Sequence, residues 1–345
     1  MKTALLDKSD IKPLLTEAAK EWNVYAPLKD FGGDVNFLLL EKERIEDSLA
    51  RLTLDDRWIP VPPKDLFFPQ LESLFEIKNG KIEETVEYSK KLLFGIKACD
   101  YKGIMFVDEF FKRNFEDKYY LSRTKDRLMV IKGCLSPPRE NACFCTSAKT
   151  GPFFDEGFDI QLIEIDEAYF VEVGSKKGRE FISRHKRFFQ ACSDSDKKNA
   201  SKVKRKAIDS IGLKIDFPKA LQLMEEGQKI PDELYEKIAQ RCIYCGGCIY
   251  VCPTCTCFNV FDDREDKAVA RYRNWDTCVF EGFTREASGF NPRATKWLRA
   301  ARRYEHKLRH DYEVTGMSGC VGCGRCLVSC PVSLGMSKFI QELTE

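Results

Sequence analysis

Histidine is nearly missing from this chain: His185, His306 and His310 are the three among 345 residues. A site that draws mainly on imidazole has few donors here, and the zinc-protease signature H-E-x-x-H does not occur. No G-x-G-x-x-G follows a strand-like run, and no G-x-x-x-x-G-K-S/T is present, so neither usual phosphate cradle is available for a dinucleotide or a nucleoside triphosphate. Charge of one sign is not in excess either. Lys plus Arg number 56 against 54 Asp plus Glu, a formal net charge of +2, which removes a global field that would recruit nucleic acid or a membrane surface. Nowhere do about 18 apolar residues run together. The opening MKTALLDKSDIKPLLTEAAKEW carries charges every few positions and lacks the apolar core of a secretory signal. We therefore expect a cytoplasmic protein with no nucleic-acid and no membrane partner.

Cysteine, by contrast, is abundant, with 16 residues. A reducing cytosol keeps thiols free and a chain of this size needs no covalent staples, so the cysteines read as ligands. Many thiolates and little imidazole suit iron-sulfur clusters or all-cysteine zinc. Cys242, Cys245, Cys248 and Cys252 followed by Pro253, and Cys320, Cys323, Cys326 and Cys330 followed by Pro331, both follow the 4Fe-4S run C-x2-C-x2-C-x3-C-P. The third cysteine of each run fits poorly with structural zinc, whose knuckles offer two-by-two spacing. In paired runs of this kind the fourth cysteine serves the other cluster. The spacing thus predicts Cys242, Cys245, Cys248 and Cys330 around one cluster, and Cys320, Cys323, Cys326 and Cys252 around a second. The 67 residues between Cys252 and Cys320 are too many for a compact small ferredoxin, and point to a helical module.

The expected fold class is α+β: a mixed α/β domain over residues 1–190, an exposed connector over 191–230, and an α-helical ferredoxin-like domain over 231–345. In the first domain, Asn79-Gly80 between two apolar runs predicts a hairpin. Leu92–Ile96, a helix over about 101–115 and Leu128–Ile131 form a βαβ unit whose strands should be parallel neighbours. Cys99 follows the first of these strands and Cys134 the second, so both should emerge at one sheet edge. A second hairpin is expected over Ile160–Ile165 and Tyr169–Val173. The charged run 193–210 reads as solvated chain, and 231–345 shows no strand pattern.

Cys99, Cys134, Cys143 and Cys145 are the right number for a third tetrathiolate site; a third 4Fe-4S cluster, a structural zinc and packed thiols are all compatible with them. Cys255, Cys257 and Cys278 are one short of a site, and packing against the clusters is the simplest role for them. Cys192 reads as a free thiol. The basic stretch from Asn291 to His310 is either a solvated helix face, a docking surface for an acidic partner, or a source of positive charge for thiolate-bound clusters.

Taken together, FGIKACD at 94–100, ACFC at 142–145, GFDI at 157–160, VEVGS at 171–175, CPTCTCFNVFD at 252–262, RNWDTC at 273–278 and CVGCGRC at 320–326 resemble the iron-sulfur subunit shared by anaerobic sulfite reductase and by cytosolic nickel-iron sulfhydrogenase, where it is the beta subunit. The resemblance implies an electron-transfer subunit with no catalytic residue of its own. It would sit between a flavin subunit that handles FAD and NAD(P)H and a catalytic subunit carrying nickel-iron or sirohaem. It also implies cluster ligation by Cys99, Cys134, Cys143 and Cys145. Where the family pattern has a Gly-His-x-Phe-Arg-like segment this chain has SGFNPR, with Phe290 in place of the histidine. Three rival readings are an autonomous reductase with an open iron near Cys255 or Cys257, a subunit of a heterodisulfide-reductase-like complex, and a zinc-stabilised interaction module.

Overall fold

The structure is a computed structural model that describes residues 2–55, 59–225, 230–265 and 268–345. Its strands are β1 (Thr3–Asp7), β2 (Asn23–Lys29), β3 (Val35–Leu39), β4 (Leu71–Lys78), β5 (Lys81–Glu84), β6 (Lys91–Ile96), β7 (Arg127–Lys132), β8 (Ile160–Ile165), β9 (Ala168–Val173), β10 (Phe258–Glu265) and β11 (Ala268–Trp275). The helices are α1 (Ile11–Ala18), α2 (Ile45–Ala50), α3 (Ala98–Lys112), α4 (Lys118–Thr124), α5 (Lys176–Arg184), α6 (Asp194–Ser210), α7 (Phe217–Glu225), α8 (Asp232–Arg241), α9 (Gly247–Tyr250), α10 (Lys296–Glu305), α11 (Asp311–Thr315), α12 (Arg325–Val328) and α13 (Met336–Thr344), with a π-helical turn over His306–His310 between α10 and α11. Among the described residues no helix is long and apolar enough to cross a membrane.

Contacts divide the chain into two units that are not successive in sequence. The first comprises Met1–Pro63, Tyr88–Lys102 and Arg123–Leu213, the second Lys64–Glu87, Gly103–Ser122 and Lys214–Glu345. The first unit holds a seven-stranded sheet in the order β1-β9-β8-β7-β6-β2-β3. Its centre is parallel, β2 with β6, β6 with β7 and β7 with β8, and antiparallel hairpins close both sides. The apolar runs Leu92–Phe94 and Leu128–Ile131 are buried throughout, as expected of parallel strands covered on both faces. The predicted βαβ unit is present, and it sends Cys99 and Cys134 from the same end of adjacent strands.

In the second unit a four-stranded antiparallel sheet runs β10-β11-β4-β5. The Asn79-Gly80 hairpin forms as expected, with φ of 52° and 74° at its two turn residues, the positive pair that a type I′ turn demands. It does not stay with the N-terminal sheet, however, because β4 pairs with β11 from Val269 to Asn274. Arg273 fixes that pairing. Its guanidinium donates to Glu72 and Asp117 and lies over the rings of Phe68, Phe111 and Phe258.

Three expectations are corrected here. The linear domain boundaries at 190 and 231 do not follow the contacts, because the hairpin β4–β5 and most of α3 pack with the C-terminal part. The connector expected over 191–230 contains α6, which is capped by a reciprocal Ser193–Asp196 box and buries Ala200 against Ile163, Ile165 and Phe170; its last stretch, 226–229, lies outside the described residues. The segment 231–345, expected to be helical only, includes the hairpin β10–β11. In β10 apolar Val260 and Phe261 are exposed alongside Asp262, Asp263 and Arg264, so no alternation marks a buried face, and it is the pairing with β4 that holds the hairpin as sheet.

Candidate metal centres

The two cysteine runs fold into near-identical loops. Helix α8 ends at Cys242, and Gly246 then takes φ 75°, directly before the four-residue helix α9 that carries Cys248. In the second run Gly324 takes φ 76° directly before the four-residue helix α12 that carries Cys326. A Cβ at residue 246 would stand 2.9 Å from Thr277 Cγ2, so both the backbone angle and the space call for glycine. Helices α9 and α12 pack on each other, which brings the end of each run to the start of the other. Backbone N–H groups already point at three of the sulfurs: Tyr244 donates to Cys242 Sγ at 3.4 Å, Leu334 to Cys330 Sγ at 3.3 Å and Met336 to Cys326 Sγ at 3.4 Å.

Electrostatics report the grouping. Burial pushes the thiols of Cys242 and Cys248 up, and both feel the charge of Cys330 from the other run. Burial likewise pushes Cys320 up and takes Cys326 to about 11; Cys326 feels Arg303, Cys323 and also Cys252, again from the other run. Thiols held high by burial are poor sites for bare thiolates, whereas coordination to a metal deprotonates a thiol outright. The donor set, two groups of cysteine sulfur with N–H bonds aimed at them, fits iron-sulfur clusters. Among the described residues no three His, Cys, Asp or Glu side chains meet at the spacing of a single ion; a cubane with one thiolate for each iron does not require that they do.

Sequence reasoning missed one buried cation, Lys64, and left two others, Arg303 and Lys307, among several readings of the basic stretch. All three side chains lie in this unit, at 2%, 6% and 5% exposure, so the solvated-face reading does not hold for the two on the basic stretch. Lys307 sits on the π-helical turn and donates to Thr254 Oγ1 and to Gly319 O, both at 2.9 Å. Burial works against its charge, yet Cys252, Cys255, Asp311 and Cys320 override this and hold its pKa well above the ordinary lysine value. Arg303 donates to Leu334 O at 3.0 Å; burial is again outweighed, by Cys248, Tyr304 and Cys326. Lys64 donates to Cys255 O and stands 4.3 Å from the Trp275 ring centroid, and here burial prevails and lowers the pKa. Lys64 itself had no sequence signal.

The cysteines left over in this unit pair with each other or with a run. Cys252 is held well below the ordinary thiol value, first by its interaction with Cys255, while Cys255 is held well above it. Cys257 is taken down to about 6, first by its interaction with Cys278, whose thiol is held well above the ordinary value. In the first unit Cys134, Cys143 and Cys145 are buried together: burial pushes Cys145 far up and the charges of Cys134 and Cys143 add to it. Gly151 lies between Cys145 and the start of α3, with its Cβ position 3.8 Å from Cys145 Sγ and 2.9 Å from the Cβ of Ala98, the neighbour of Cys99. Cys192 meets Thr3 Oγ1 at 3.1 Å, away from these groups in the sequence. Phe290 is 62% exposed.

Residues 241–334 match a family described as a 4Fe-4S dicluster domain, which makes this segment an iron-sulfur domain. Over 301 residues, 87% of this chain and 87% of the other, the sequence is 32% identical to sulfhydrogenase 2 subunit beta of Pyrococcus furiosus. Identity at that level across both units shows that the chain belongs to the iron-sulfur subunit family that serves sulfhydrogenase, as its beta subunit, and anaerobic sulfite reductase.

Proposed function

We propose that the chain is a three-cluster electron-transfer subunit that relays single electrons between a flavin subunit using FAD and NAD(P)H and a catalytic subunit of the nickel-iron hydrogenase or sirohaem sulfite reductase kind. Cys242, Cys245, Cys248 and Cys330 hold one 4Fe-4S cluster; Cys320, Cys323, Cys326 and Cys252 hold the second. Cys99, Cys134, Cys143 and Cys145 hold a third in the first unit. When bound, each cluster supplies a one-electron couple. The protein's part is to exclude water, aim N–H bonds at the sulfurs and set the local charge through Arg303 and Lys307. The observation that carries the reading is the packing of α9, which holds Cys248, on α12, which holds Cys326; in keeping with it, Cys330 acts on Cys242 and Cys248, and Cys252 acts on Cys326 as well as on Cys248 of its own run. The assembly into a larger complex is supported by the relative, which is a subunit of a sulfhydrogenase.

Anaerobic purification of the natural complex tests this directly. The chain should contain about 12 iron atoms and as many acid-labile sulfides, and should co-purify with a flavoprotein and a nickel or sirohaem subunit. Cys330→Ser should alter the spectrum of one cluster and Cys252→Ser that of the other. Zinc in place of iron and sulfide, or the same cluster altered by both substitutions, would overturn the assignment.

A further inference from the structure

Helix α10 and the turn after it carry two sets of cations on different faces. Arg299, Arg303 and Lys307 recur at every fourth position and are buried. Trp297, Leu298, Ala301, Arg302 and Glu305 follow the same period on another face, and that face lines a cavity of about 450 Å³. Its other walls come from α7, the start of α8, the loop before α10 and the end of the π-helical turn. None of the lining residues is assigned to a cluster above.

Arg293 enters the cavity from the loop before α10, and its backbone is held on both sides. Its N–H donates to Asn291 Oδ1 at 2.9 Å, while buried Arg299 donates from Nη1 to Arg293 O at 3.0 Å and to Ala294 O at 2.6 Å. Among the described residues no carboxylate pairs with the guanidinium of Arg293 or of Arg302. Arg309, by contrast, is matched by Glu313 at 2.9 Å. Arg302 donates to His310 Nδ1, so that ring is neutral and keeps its hydrogen on Nε2, a further donor. Burial, and after it Arg302, lowers the pKa of Arg293 and of His310 alike. Two guanidinium groups thus line one cavity with no carboxylate paired to either.

Planar N–H forks of this kind match the oxygens of a phosphate group. Trp297, Met224 and Leu298 add apolar wall, and the Glu305 carboxylate, which accepts from Tyr235 Oη at 3.3 Å, keeps lone pairs for hydroxyl or amino donors. The volume falls within the roughly 300–1,000 Å³ of small-molecule sites. Inorganic phosphate would engage the guanidinium groups and leave most of that space unfilled. An uncharged apolar molecule would strand both cations. A phosphate joined to a sugar and a planar ring uses all three kinds of wall. We propose that this cavity binds a nucleoside mono- or diphosphate, with Arg293 and Arg302 on the phosphate, Glu305 accepting from the ribose and Trp297 against the base. Side-chain forks would then do what the glycine-rich backbone cradles absent from the sequence do elsewhere.

The full chain, purified without oxygen, is dialysed to equilibrium against radiolabelled AMP or ADP at low salt, with adenosine and inorganic phosphate as comparison probes. We expect one nucleotide per chain with a Kd below about 100 μM, and binding at least about tenfold weaker for adenosine and for phosphate. Arg293→Gln and Arg302→Gln should each weaken ADP binding about tenfold or more, the usual effect of losing a hydrogen bond to a charged group. Trp297→Leu should weaken it about fivefold or more through lost stacking. Lys338→Gln, an equal loss of charge at an exposed position of α13, should leave it unchanged. Absence of saturable AMP or ADP uptake at about 1 mM would overturn the proposal. So would phosphate or adenosine binding as tightly as ADP, or an affinity untouched by both arginine substitutions in chains with the wild-type circular dichroism.

Discussion

Replacing Lys307 by Met removes one buried positive charge while leaving its neighbours partnered, because Thr254 Oγ1 also donates to Gly319 O at 2.6 Å. Thr254 Oγ1 accepts from Lys307 Nζ at 2.9 Å and lies 3.2 Å from Cys252 Sγ, which keeps the ammonium within about 6 Å of that sulfur. At an effective dielectric of about 20, a unit charge at that distance contributes about 2.8 kcal/mol. For a one-electron couple this corresponds to about 120 mV. It is an upper bound, since an added electron spreads over the whole cluster and lies farther from Nζ than the sulfur does. The reduced cluster carries the greater negative charge and loses more when the ammonium goes, so the potential falls. We expect a fall of about 50–120 mV in the cluster assigned to Cys252, Cys320, Cys323 and Cys326, and a smaller change in its partner. Electron paramagnetic resonance during a redox titration of the anaerobic protein reads both couples. Lys307→Arg, which keeps the charge, should restore most of the potential. If Lys307→Met keeps its iron and neither couple moves by more than about 20 mV, the ammonium does not act on the cluster as a charge.

Three further outcomes follow from the surrounding structure. Arg273→Leu should cost about 3–5 kcal/mol, the usual effect of breaking a buried ion pair from one side, because Glu72 and Asp117 both lose the guanidinium and the Glu72 side chain is 2% exposed; the unfolding midpoint in urea is the measure, and a change under about 1 kcal/mol would show that the site rehydrates freely. Gly246→Ala should cost about 1–2 kcal/mol from the left-handed backbone alone, with crowding against Thr277 added, and should lower the temperature at which the visible absorption of the clusters is lost. Burial takes the Asp65 carboxyl up to about 6 from an ordinary 3.8. The folded chain therefore binds that proton more tightly than the unfolded chain, and stability declines as pH rises from about 4 to 6. Asp65→Asn should accordingly stabilise at pH 7 and not at pH 4, as read by urea unfolding at the two values; equal effects at both would sink the assignment.

What the sequence disclosed was local. Both C-x2-C-x2-C-x3-C-P runs, the Asn79-Gly80 turn and the βαβ unit with a cysteine after each strand are set by neighbouring residues, and all are found where their patterns put them. What stayed hidden depends on pairings far apart in the chain. The strand character of 258–275 is conferred by β4, nearly two hundred residues away, and no alternation in FNVFDDRE could announce it. The helix over 194–210 was legible in principle, through Ser193 and Asp196 as a capping box and Ala200, Val203 and Ala207 on one face, but its many lysines obscured the stripe. Lys64 has no local signature at all. Its significance exists only once Cys255 O and the Trp275 ring are brought over it.

The long segment between the cysteine runs is therefore more than a spacer. On the proposed assignment, two copies of a loop with a left-handed glycine and a one-turn helix, with α9 packed on α12, would suffice to wrap two clusters. The residues between them add what the loops lack. The hairpin β10–β11 ties the module to β4. Helix α10 then brings Arg303 between the thiols of both runs, and the widened turn after it carries Lys307 to Cys252 and Cys320. A π-helical turn gives up regular helix geometry, and such turns recur at functional sites for that reason. Here it places a lysine where burial alone would have lowered its pKa, beside Asp311 and the sulfurs of Cys252, Cys255 and Cys320, which outweigh the burial. The insertion thus supplies positive charge to a site whose ligands can supply only negative charge.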